Sequence, residues 1–120
     1  MTRFFVLLGL VSAAAGGCAP ALVSPTLDAV RFAAQRGQRT TLEQLALGRS
    51  LYVRRCTGCH AAHSPAEFAP ERWGPMVDEM REQAHVTPSE RDPIVAYLTA
   101  ASARLHRPAI AAAATEPRPR

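Results

Sequence analysis

Four stretches of the chain carry apolar residues at helical spacing, each bounded by proline, glycine or polar positions. The first runs from Thr26 to Gln35, between Pro25 and Gly37, and puts Leu27, Val30 and Ala34 on one face. It suits a peripheral helix or a linker equally. The second starts at Thr40 or Thr41, with Glu43 or Gln44 completing a capping box, and carries Leu45, Gly48, Leu51, Tyr52 and Arg55. The third, ERWGPMVDEMREQA, gathers Trp73, Met76, Val77, Met80 and Ala84. The fourth opens on Thr87-Pro88-Ser89-Glu90, a capping box with proline at the first helical position. Its stripe is Ile94, Tyr97, Leu98 and Ala101, and Pro93 inside it leaves Asp92–Pro93 as a later start for regular helix. The pattern predicts an all-α domain of three or four short helices.

The two ends read differently. MTRFFVLLGLVSAAAGG has a basic start at Arg3, an apolar run from Phe4 to Val11, then small residues, which is the layout of a secretory signal peptide over residues 1–17. Ala15-Gly16-Gly17-Cys18 resembles the lipobox of bacterial lipoproteins, which implies lipidation of Cys18 and a membrane anchor. Ordinary cleavage near Ala13 to Ala15, giving a soluble exported protein, is the alternative. Residues 18–39 then form the lipidated start with its linker or peripheral helix, residues 40–105 the domain, and the proline-bearing residues 106–120 a disordered tail.

Composition sharpens one point. Roughly 65 residues remain to build a core, aromatics are scarce, and a domain of that size usually needs a staple, a metal or a cofactor. Charge adds little. All 14 basic residues are arginine, and without Arg3, Arg118 and Arg120 the balance is 11 arginines against 10 acids. No basic stripe interleaves with aromatics, so nucleic acid is not an expected partner.

The chemistry is concentrated in RRCTGCHAAHSP, Arg54 to Pro65. Cys56-Thr57-Gly58-Cys59-His60 is the C-x-x-C-H pattern of covalent haem attachment. Two thiols three apart can each add to a vinyl group of one porphyrin, and the following imidazole becomes the proximal iron ligand. Three rivals stand beside it. Cys56, Cys59, His60 and His63 could ligate zinc, although four ligands within eight residues are cramped. A thioredoxin-like pair would want a βαβ context. A simple disulfide would leave His60 without a role.

Around the motif, Gly48-Arg49-Ser50-Leu51-Tyr52 followed by Cys56, together with the terminal Tyr97-Leu98, resembles the class I cytochromes c. The resemblance, to a small mono-haem bacterial member, covers about Leu42 to Ala101. It implies a cytochrome c-like domain around one covalent haem c, in which a small glycine lets the last helix cross closely. It further implies one-electron transfer on the periplasmic side with redox partner proteins, haem maturation machinery, and no enzymatic activity of its own. The alternative is a haem-based sensor or binder of a small gas, with an open distal face; a structural lipoprotein using haem as a folding core is a third. His60 is the expected proximal ligand, and a carbonyl of the loop between Pro65 and Pro70 is a candidate acceptor for its Nδ1 proton. Met80 is the expected distal ligand, with Met76 or His85 as alternatives; His63 lies too near His60 to reach the opposite face. Arg72 and the Trp73 indole are candidate contacts for the haem propionates.

Overall fold

The computed structural model describes residues 22–107; the leader, Cys18 and most of the proposed tail lie outside them. Four helices follow in order: α1 (Leu27–Gln35), α2 (Leu42–Cys56), α3 (Trp73–Met80) and α4 (Pro88–Leu105). Two short 3₁₀ turns, Pro65–Glu67 and Pro70–Arg72, link α2 to α3, and no strand occurs among the described residues. The all-α expectation holds.

Local chemistry sets the helix starts. Thr41 caps α2, its hydroxyl accepting from the Gln44 N–H at 3.2 Å while Gln44 Oε1 accepts from the Thr41 N–H at 3.0 Å. At α4, Glu90 Oε2 accepts from the Thr87 N–H at 3.0 Å, and Pro88 takes the first helical position. The helix then runs unbroken through Pro93, against the later start at Asp92–Pro93. A proline this near the N-terminus removes one hydrogen bond, to the Ser89 carbonyl, and the packing of α4 outweighs that loss.

Helices α2 and α4 form the main pairing. They meet at Gly48, where an added Cβ would run into the Pro93 carbonyl oxygen and stand 2.8 Å from Tyr97 Cβ. The close crossing implied by the cytochrome resemblance is therefore present, and it needs glycine. Ile94, Tyr97 and Leu98 are buried there with Leu45, Leu51 and Tyr52. Burial then encircles α4 from Tyr97 to Ala103, because α1 and both 3₁₀ turns also pack on it.

Helix α1 is a packed helix, not a linker. Thr26 caps it, and it buries Ala29 and Ala33 against α4. The expected face is displaced: Leu27 is 60% exposed and Ala34 is exposed. Close helix packing here selects the small alanines, which hydropathy ranks below leucine. The segment before α1 joins in, since the Tyr97 hydroxyl donates to the Val23 carbonyl at 3.0 Å.

Candidate functional site

Helix α2 delivers the first thiol. Tyr52, Arg55 and Cys56 fall within one turn of it, and the helix ends at Cys56. The Thr57 hydroxyl donates to the Val53 carbonyl at 2.6 Å, closing that end locally. Gly58, Cys59 and His60 follow in bends. Cys56 and Cys59 are free thiols, the first half-buried and the second exposed. Burial pushes the Cys56 thiol up, so at neutral pH it stays protonated.

The His60 ring is oriented by its neighbour. Its Nδ1 lies 2.7 Å from the Ala61 carbonyl, which can only accept, so the proton sits on Nδ1 and the Nε2 lone pair is free for a metal. The expected acceptor was a carbonyl between Pro65 and Pro70. The bent backbone at His60 instead brings its own next carbonyl within reach.

His63 is tied elsewhere. Its Nδ1 lies 2.7 Å from Glu67 Oε2, and its carbonyl accepts from the Tyr52 hydroxyl at 2.9 Å. Hydrogen bonds from His63 and the Ser64 N–H hold Glu67 below the usual carboxylate range. Among the described residues no three His, Cys, Asp or Glu side chains group as a metal site. The four donors of the zinc alternative do not assemble.

A cleft of about 230 Å³ opens beside the motif. It is lined by Cys56, Cys59, His60 and His63, by Trp73, Met76, Val77 and Met80 of α3, and by Val86 and Leu98. Trp73, only 1% exposed, is held edge-on between Tyr52 and Phe68, with ring centroids at 6.4 and 5.3 Å. Its Nε1–H is buried with no hydrogen-bond partner among the described residues. Such a donor costs free energy until an acceptor reaches it. Two thiols, a free imidazole nitrogen, an apolar lining and an unspent buried donor fit a haem.

The other predicted residues separate. Met76 and Met80 both line the cleft; Met76 packs against the core, whereas Met80, the last residue of α3, is 40% exposed. Ala84, expected on the same helical face, lies beyond the helix in a turn but still reaches the cleft. His85 does not. It is exposed at φ 51°, and the turn that brings Val86 into the core carries it outward. Arg72 is likewise exposed and absent from the lining. Adjacent residues point about 100° apart where the backbone turns helical, so the inward Trp73 sends Arg72 away. Arg55 and Gln83, which line the cleft, were not foreseen as site residues. For Arg55 the signal was present: it follows Tyr52 by three on the same helical stripe.

A family model described as dihaem cytochrome c matches residues 52–118, from Tyr52 through the C-x-x-C-H motif and all of α3 and α4. No curated protein and no solved structure matches the chain. The family description specifies two haems, against the one expected, and residues 1–120 hold a single C-x-x-C-H motif. The match spans more than half of the chain and includes every feature of the cleft that bears on haem attachment: the chain belongs to the dihaem cytochrome c family.

Proposed function

We propose that this chain carries one covalent haem c and acts as a one-electron carrier between redox partner proteins, without catalysis of its own. The observation that carries the reading is the pair of free thiols, Cys56 and Cys59, beside a His60 whose Nδ1 is already engaged, at the edge of an apolar cleft. A bound haem would supply a one-electron iron couple. Cys56 and Cys59 would hold it, His60 Nε2 would ligate one face, and Trp73 and Val77 would exclude water from it. One haem rather than two rests on the single motif and on a total of three cysteines.

For the distal side the reading is Met80. Met76 is engaged in core packing, whereas Met80 stands at the helix end with its side chain partly free. Methionine ligation would keep the iron six-coordinate and raise its potential. The periplasmic location and the lipid anchor at Cys18 rest on the leader sequence alone. Haem content per chain, measured on denatured protein, tests the central reading: one haem retained is expected. Extractable pigment would overturn covalent attachment, and two haems would overturn the count. Ready binding of carbon monoxide by reduced protein would favour the gas-binding alternative. Release of the wild type from membranes by detergent but not salt, and of Cys18→Ala without detergent, is expected of the anchor.

A further inference from the structure

Arginine is not spread evenly over the surface. Arg31, Arg36 and Arg39 belong to α1 and the turn behind it, Arg104 and Arg107 to the end of α4, and all five are exposed. The two groups meet at Phe32, where the Arg36 and Arg107 guanidiniums stand 5.8 and 4.9 Å from the ring centroid. Acids are few here: Asp28 pairs with Arg31 at 3.4 Å, and Glu71 with Arg36 at 2.8 Å. Residues 73–92 have the opposite balance, with Asp78, Glu79, Glu82, Glu90 and Asp92 against Arg81 and Arg91. They include α3, which lines the cleft and does not touch α1. The domain is therefore a charge dipole, basic on the α1 side and acidic on the cleft side.

The chain enters on the basic side. Arg49 Nη2 donates to the Leu22 carbonyl at 3.4 Å, and the Tyr97 hydroxyl to the Val23 carbonyl at 3.0 Å. Arg104 shares a small crevice with Val23, Pro25 and Ala29. Cys18 stands four residues before Leu22, so even a fully extended chain spans at most about 14 Å between them. A lipid on Cys18 would hold this side near the headgroups, within the range where arginines respond to anionic lipid. Leu27, the first residue of α1, is 60% exposed and lies one turn from Arg31. An apolar side chain flanked by arginines suits a membrane interface.

We propose that α1 and the end of α4 form a face for an anionic phospholipid bilayer, which turns the anchored domain so that its cleft points away from the membrane. The proposal rests on the lipid-anchor reading of Cys18. Guanidinium N–H groups donate to lipid phosphate oxygens, and Leu27 enters between the headgroups.

The test places the full-length, lipidated holoprotein in vesicles of phosphatidylglycerol with phosphatidylcholine, and in vesicles of phosphatidylcholine alone. Both contain a nickel-chelating lipid. A nitroxide is attached to Leu27→Cys or, on the acidic side, to Glu79→Cys, the native cysteines being occupied by haem and lipid. Nickel-dependent relaxation of the nitroxide reads its distance from the bilayer surface. In anionic vesicles the label at position 27 is expected to relax several times faster than the label at position 79, and the difference should shrink in neutral ones. Adding Arg31→Gln and Arg107→Gln should shift the contact equilibrium back roughly 25-fold, about fivefold for each arginine. Equal relaxation at the two positions overturns the proposal. So does a difference indifferent to lipid charge and to the arginines, which would leave those arginines to an acidic protein partner. The anchor reading fails separately, if Cys18 carries no acyl mass and the wild type leaves neutral vesicles. Binding of that unanchored protein to the anionic vesicles then decides the face alone, and its absence overturns it.

Discussion

The two sides of α4 solve the problem of a small core in opposite ways. Where α4 crosses α2, Gly48 lets the backbones approach until the Pro93 carbonyl and Tyr97 Cβ occupy the space a side chain would take. Ile94, Tyr97, Leu98 and Leu45 complete the contact with almost no exposed surface. Across from α3 the chain leaves a cleft instead. That helix has 8 residues, ends at a methionine 40% exposed, and buries a tryptophan whose N–H has no partner among the described residues. One side is filled by the polypeptide, and the other is shaped for something the polypeptide does not supply. A domain of this size gains too little from its own side chains to close both.

The largest effect should come from removing the filler. Cys56→Ser with Cys59→Ser is expected to give a colourless chain with weakened near-ultraviolet circular dichroism, because the α3 side has nothing to pack on. A colourless double variant with native near-ultraviolet signal would show that the cleft side stands unaided. Next comes the closed side. In Gly48→Ala the new Cβ meets the Pro93 carbonyl, whose carbon lies 2.6 Å away, and backbone inside a helix cannot swing clear as a side-chain tip would. A loss of roughly 1–3 kcal/mol or more is expected in denaturant titration, with haem still attached. An unchanged midpoint would mean that α2 and α4 can shift apart at this crossing at little cost.

The same contrast explains what could be read beforehand. The caps Thr41/Gln44 and Thr87/Glu90, and the C-x-x-C-H motif, are written in residues at most four apart, where spacing determines geometry. The Gly48–Tyr97 crossing was legible because it resembled a known family. What failed depended on partners distant in sequence. Leu27 was expected inward on α1, yet the alanines face α4. Pro93 was expected to delay α4, yet its carbonyl became part of the crossing. Arg72 was expected beside Trp73 at the site, yet it is exposed and outside the cleft, because adjacency along a helical backbone sends two side chains to different faces.

A smaller effect separates the two methionines. The weak sulfur-to-iron charge-transfer band of the oxidised protein should be present in the wild type and in Met76→Ala, and absent from Met80→Ala. Met76→Ala should instead cost stability, roughly 2 kcal/mol or more if its packing resembles that of a core methionine. Loss of the band in Met76→Ala alone would move the ligand one turn back along α3, to the better buried residue.

The smallest effect probes the ion pair that joins the closed side to the cleft. The Arg55 guanidinium first, and the Thr87 N–H second, hold the Glu90 carboxyl at about 2, against an ordinary value of 4.5. A carboxyl depressed on folding stabilises the folded state above its unfolded value, and that contribution disappears as pH falls through the folded one. The window therefore runs from about 4.5 down to about 2. Asp78, held down by Arg91, and Glu67, held down by His63, lose their contributions on the same acid side, so the wild type weakens there for several reasons at once. Glu90→Gln removes one share. Melting temperatures of wild type and Glu90→Gln should differ most near neutral pH and converge as pH approaches about 2. A gap that stays constant across that range would mean that Glu90 acts as a neutral hydrogen-bond acceptor at the cap of α4, and that its charge contributes nothing to holding Arg55 against the cleft.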